Sequence, residues 1–220
     1  MIFVKKLIYS LLISSMLMAC DEGDQRGIIY TDLTPGKSVT SMIPSPWTFE
    51  DIMKNNIIFI AGDGTNNFVS LAWAQMHLDL NKDDSTDVQF GVRHYIGTES
   101  EPQEDKLIFI SWVNDALEVS LADPVKGYVR KYADGDEIDY SSFGSVPTFP
   151  ANGGFLIRKD DNNAFDHNGE FYIAVKIMVD NKPYYGWIRV GTQMEILTLT
   201  VIEFAVHSRS GSELFIGQKE

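Results

Sequence analysis

The 220-residue sequence contains a single cysteine, Cys20, so no disulfide can form within the chain and a Cys-rich metal site is excluded. Basic residues are scarce: 18 Lys and Arg stand against 31 Asp and Glu. Nucleic acid is therefore excluded as a partner, because its phosphates need clustered cations. The same imbalance disfavours a domain face lying flat on anionic headgroups. No nucleophile elbow, phosphate loop or dinucleotide fingerprint occurs. No repeat recurs at a solenoid period, and no apolar run reaches the ~20 residues of a comfortable membrane span.

What is present begins at the N-terminus. Lys5 and Lys6 precede an apolar run opening at Leu7-Ile8, and Leu17-Met18-Ala19-Cys20 closes the segment. Residues 1–19 read as an export signal, and the Leu-Met-Ala-Cys stretch resembles the lipobox of bacterial lipoproteins. That resemblance implies cleavage before Cys20 and a covalent diacylglycerol plus an acyl chain on its sulfur and amine. A membrane anchor of several chains follows, at about 0.8 kcal/mol per buried CH₂, and no thiol remains for catalysis. Residues 20–26 are a short tether. Asp21, Glu22 and Asp24 form an acidic cluster that resembles an outer-membrane surface-display signal; a lone Asp after the cysteine is instead an inner-membrane retention signal in enterobacteria. Without the signal the chain carries 16 basic and 31 acidic residues, a charge of −15, which suits calcium and keeps an exported protein soluble.

From residue 27 to 220 the hydrophobic period is mostly two, and a single domain is expected. Phe171, Ile173, Val175 and Ile177 alternate with Tyr172, Ala174, Lys176 and Met178, as in a strand with one buried face. Asp180 to Pro183 then turns the chain into Tyr184–Val190. Other strand candidates include Ile28–Thr31, Phe68–Leu78, Val88–Tyr95 and Ile196–His207. One helical turn is expected over Ser45–Met53. The fold class is all-β: a two-sheet antiparallel sandwich, jelly-roll-like.

The most pointed chemistry lies in residues 79–87. Oxygens recur at alternate positions: Asp79, Asn81, Asp83, the carbonyl or hydroxyl of Ser85, and Asp87. A tight loop turns such residues inward, and Ca²⁺ takes 6–8 hard oxygen ligands. A structural calcium loop is expected, with a solvated acidic turn as the alternative. It is not an EF-hand: Asp84 stands at the sixth position in place of glycine, and Phe90 at the twelfth in place of glutamate. A second oxygen-rich stretch, residues 160–170, has irregular spacing and reads as a plain turn.

The loop joins further motifs in chain order: Ile29-Tyr30-Thr31-Asp32-Leu33-Thr34-Pro35, Leu78-Asp79-Leu80-Asn81, and Tyr184-Tyr185-Gly186-Trp187-Ile188. Together they resemble a family of exported β-sandwich proteins of Bacteroidota and other environmental bacteria, with YTD-L-P, DLN-DG and YGWI motifs. The likeness spans nearly the whole mature chain, with Asp84 for the loop glycine and Val88-Gln89-Phe90 as departures. It implies a fold and an exported address, and no activity.

A catalytic centre is not evident. His77, His94 and His207 lack partners at metal-ligand spacing, and His94 shares a strand face with Val88, Phe90 and Val92. Tyr184, Tyr185 and Trp187 are the candidate ligand-binding residues, as part of an aromatic platform for sugar stacking; tryptophans in strands this apolar are alternatively core. Two readings stay open: a non-catalytic surface module binding glycan or another envelope protein, and a structural envelope protein without a small ligand. A glycan hydrolase, whose paired carboxylates sequence spacing does not reveal, is the third.

Overall fold

The computed structural model describes residues 27–40, 58–61, 68–96, 104–112, 117–144, 146–147, 152–160, 163–165, 168–194 and 197–220. Cys20, the 20–26 tether, the Ser45–Met53 turn and residues 161–162 and 166–167 of the 160–170 loop lie outside them, as do the side chains of Trp73, His94 and Trp112.

Among the described residues fourteen strands are formed. In the first half of the chain they are β1 (Ile28–Thr40), β2 (Ile58–Ala61), β3 (Phe68–Leu78), β4 (Val88–Ile96), β5 (Glu104–Trp112), β6 (Leu117–Asp123) and β7 (Tyr128–Val129). Then come β8 (Phe143–Gly144), β9 (Val146–Pro147), β10 (Asn152–Asp160), β11 (Asn163–Phe165), β12 (Gly169–Val179), β13 (Lys182–Gln193) and β14 (Thr198–His207). One 3₁₀ turn, Tyr140–Ser142, is capped by the Asp139 side chain, which accepts from the Ser141 N–H. The fold is thus all-β, as the two-residue periodicity requires.

The strands do not fall into two separate sheets. They follow one path, β1-β14-β13-β12-β6-β7-β10-β5-β4-β3-β2, antiparallel except between β7 and β10. The joint is β6: its Leu117–Val119 half pairs with β12, and its Leu121–Asp123 half with β7. A strand serving two neighbours in this way folds the sheet back on itself. The first strand, β1, then approaches β3 and β4, leaving a nearly closed, barrel-like sandwich.

The main core fills the space between the two halves. It includes Leu78, Phe90, Val92, Ile108, Ile110 and Leu156 from one half, and Phe171, Ile173, Val175, Ile188, Val190 and Val201 from the other. These are the alternate residues anticipated on β12, but β12 is buried on both faces. Tyr172 and Ala174 join Trp187, Ala205, Tyr132, Leu214 and Ile216 in a second cluster. The C-terminal segment after β14 and the segment around Tyr132–Tyr140 cover that outer face. Long-range cover of this kind has no periodic signature in the strand itself.

Candidate functional site

Strand register orders the outer face of β12-β13-β14-β1 into rows. Nearest the start of β1, Ala174, Trp187, Ala205 and Tyr30 stand side by side. Trp187 is fully buried. Its indole N–H donates to the Gln218 carbonyl at 3.1 Å, and the Tyr172 ring meets it edge-on at 5.3 Å. Trp187 therefore leaves the aromatic platform proposed from sequence and belongs to the core. Tyr184 and Tyr185 do lie on opposite faces, yet both are half-buried: Tyr184 packs on the main core, and Tyr185 stacks against Tyr140 (4.6 Å) and Phe143 (5.6 Å). Among the described residues, only Val125 and Phe215 are large, apolar and exposed.

The next row is charged: Tyr172, Arg189, Glu203 and Asp32. Glu203 is buried and accepts from Tyr30 Oη (2.6 Å), Arg189 Nη1 (3.2 Å) and Lys219 Nζ (2.6 Å). Arg189 also reaches Glu170 at 2.7 Å. Burial pushes the Glu203 carboxyl up, but the hydrogen bonds from Lys219, Tyr30 and Arg189 outweigh it and hold the group below its ordinary value. The same bond to Glu203 leads the causes that push the Tyr30 phenol up. This satisfied network missed by sequence reading has one visible trace, a glutamate inside the apolar run Val201-Ile202-Glu203-Phe204-Ala205-Val206.

Beyond the charged row the face is polar, and among the described residues none covers it. Glu170, Gly191, Thr200 and Ser38 form one row, and Gln193, Thr198 and Thr40 the next. Hydroxyl pairs Thr200–Ser38 and Thr198–Thr40, each 2.8 Å, fix the floor. The chain between Asp32 and Lys37 leaves the ladder and rises as a wall; the Asp32 carboxylate, accepting from the Thr34 N–H at 2.8 Å, shapes its first turn. Asn168 and Glu170 stand on the opposite side. Floor and walls enclose an open groove of about 870 Å³.

The 79–87 loop joins β3 to β4. Asp79 accepts from the N–H groups of Lys82 (2.6 Å), Asp83 (3.3 Å) and Asp84 (2.9 Å). Asn81 accepts from the Asp83 N–H and donates to the Asp83 carboxylate at 3.1 Å, and Asp83 accepts from the Ser85 N–H. Asp87 is buried and accepts from the N–H groups of Leu80 (2.7 Å) and Asn81 (3.2 Å). Lys82 and Asp84 adopt φ of 62° and 66°, so Asp84 supplies the left-handed turn for which glycine is usual. Burial pushes the Asp87 carboxyl up; the two N–H bonds oppose this, and the Asp83 and Asp79 charges add to it. The loop's oxygens thus converge on its own amides, and among the described residues no three His, Cys, Asp or Glu side chains are grouped around a metal-sized point.

Fold and groove together define an all-β protein with one long sheet face divided between a covered and an open end. Comparison with protein-family models, with curated proteins and with solved structures finds no match for the chain.

Proposed function

We propose that the protein is a lipid-anchored, non-catalytic component of the cell envelope, displayed on the outer membrane and presenting a glycan-binding face away from it. One observation carries the reading: the direction of β1. Ile28, at its start, pairs with His207, whereas Ser38 and Thr40, at its far end, pair with Thr200 and Thr198 beside the groove. Cys20 precedes Ile28 by eight positions, a span of at most about 28 Å even when fully extended. A lipid on Cys20 therefore tethers the Ile28 end close to the bilayer. The groove opens roughly 20–30 Å further along β14 at about 3.3 Å per residue.

Calcium fits the 79–87 loop by donor chemistry, since Asp79, Asn81, Asp83, Ser85 and Asp87 offer oxygens alone. A divalent cation there would offset the burial of the Asp87 carboxylate and the nearby Asp83 and Asp79 charges, and would stiffen the link between β3 and β4. Titration calorimetry tests this: millimolar calcium should release heat, and Asp83→Ala should abolish it. Equal heats from both proteins remove the ion from the proposal.

The anchor is tested by membrane fractionation. The full chain should sediment with outer membranes and Cys20→Ala should not; equal partition overturns the anchor. An array of neutral and charged oligosaccharides, probed with the detergent-solubilised full chain, tests the binding role. No bound glycan favours the structural reading, for which the buried Trp187 and the lack of an exposed aromatic row among the described residues already speak.

A further inference from the structure

We infer that the groove between the Asp32–Lys37 wall and the Asn168–Glu170 rim is a site for a neutral oligosaccharide, which rests on the glycan-binding reading above and replaces the tyrosine platform as its location. The groove's size, about 870 Å³, falls in the range of small-ligand sites, roughly 300–1,000 Å³. Its lining decides the ligand class. Thr34, Thr198 and Thr200 supply hydroxyls, and Asn168 and Gln193 supply amides. Hydroxyls and amides each donate and accept, as sugar hydroxyls do, so the match needs no ionised ligand.

The charges point the same way. Glu170 is the one ionisable residue in the lining, and Arg189 engages it through a single oxygen, Oε2. Its other oxygen has no partner among the described residues and suits a sugar hydroxyl through a charge-assisted bond. Phosphorylated, sulfated or uronic ligands would meet this carboxylate and the chain's strong negative charge, with Arg189 and Lys219 already engaged on Glu203. An apolar ligand finds no aromatic side chain in the lining, only Pro35 and Ile202. Neutral saccharide is the class that remains.

The floor is suited to a flat polar ligand. At Gly191 a Cβ would meet only the Glu170 Cγ, at 3.6 Å, so the missing side chain is what leaves the groove open there. That spacing also supplies the test, because a larger residue fits the backbone and occupies the groove. The full chain in detergent, with Gly191→Leu and Gln193→Ala, is titrated with the neutral oligosaccharides bound on the array. Gly191→Leu should weaken binding tenfold or more and Gln193→Ala several-fold, with both melting temperatures near that of the parent. If Gly191→Leu does not fold, Gln193→Ala decides. Unchanged affinity in the folded variants overturns the site while leaving glycan binding intact. Selective binding of charged glycans overturns the neutral class, and no glycan bound by the parent chain overturns the site together with the reading it rests on.

Discussion

Lys219 Nζ lies 2.6 Å from Oε2 of Glu203, joining the C-terminal segment to a carboxylate that is only 4% exposed in the middle of β14. The contact closes the cover over Trp187, whose indole bonds the neighbouring Gln218 carbonyl. A buried carboxylate left without its cations costs far more than a surface pair contributes. Lys219 is half-exposed and Arg189 persists in its absence, so Lys219→Ala should cost about 1 kcal/mol. Glu203→Ala takes the shared acceptor from Lys219 and Tyr30 at once, leaves Arg189 with Glu170 alone, and should cost about 3 kcal/mol. Urea unfolding measures both; equal small losses would show that the carboxylate is effectively solvated.

Acid should find the same group. The Glu203 carboxyl is held below its ordinary value near 4.5 in the folded protein, so the unfolded chain binds the proton first as pH falls. Its contribution is complete above about 4.5 and is lost as pH drops through the folded value. Stability measured from pH 6 to 2 should therefore fall more steeply for the parent than for Glu203→Gln. Parallel profiles would refute the coupling.

His207 acts at higher pH. Burial, then the Arg209 charge, push its imidazole below 6.5, and the bond its Nδ1 accepts from the Arg209 N–H at 3.0 Å is one that only an unprotonated nitrogen can make. The folded state thus prefers the neutral ring, and stability should decline as pH falls through about 6.5. His207→Gln should flatten that part of the profile, leaving the lower Glu203 limb in place; an unaltered profile would sink the assignment.

These groups also mark where sequence reading succeeds and where it stops. On β12 the alternation of Phe171, Ile173, Val175 and Ile177 is written in adjacent residues, and the hairpin after it is fixed by Asp180 and Asn181, whose φ of 50° and 59° suit a two-residue loop pairing Val179 with Lys182. Such local rules are legible. The Glu203 network draws on positions 30, 189, 203 and 219, and the groove on segments near 34, 168, 191 and 198, so neither is contiguous enough to leave a motif. The strand candidate read from sequence, Ile28–Thr31, stops short of Pro35 and Gly36, residues that disfavour a regular ladder. They do break the ladder, but the strand resumes at Lys37, and the interruption becomes the groove wall. The 79–87 loop was legible as oxygen spacing, though its capping of its own amides was not.

Asp87 gives the opposite sign to Glu203. Its carboxyl is raised above 3.8, chiefly by burial, so the folded state holds the proton longer and stability falls as pH rises through the window just above 3.8. Asp87→Asn keeps an acceptor for the Leu80 and Asn81 N–H groups without the charge. In calcium-free buffer at pH 7 it should therefore match or exceed the parent in melting temperature. Millimolar calcium should then raise the parent's melting temperature more than the variant's, since ligand binding to the folded state alone adds stability. A variant that melts several degrees lower in calcium-free buffer would show that the charge itself holds the loop.

Gly36 ties the wall to the floor. It sits at φ +95°, and a Cβ there would lie 2.8 Å from the Thr200 methyl and 3.2 Å from the Val201 carbonyl oxygen. The left-handed backbone alone costs a non-glycine residue about 1 kcal/mol or more, and the methyl contact adds to it because Thr200 is tied to Ser38 on the neighbouring strand. Relief requires the Asp32–Lys37 excursion to lift from β14. Gly36→Ala should therefore cost about 1–3 kcal/mol in urea unfolding and speed amide exchange in residues 34–38 ahead of the β12–β13 pairs. If exchange rises uniformly along β14 and β13 as well, the wall and the sheet are a single cooperative unit, and the excursion is not a separately mounted element.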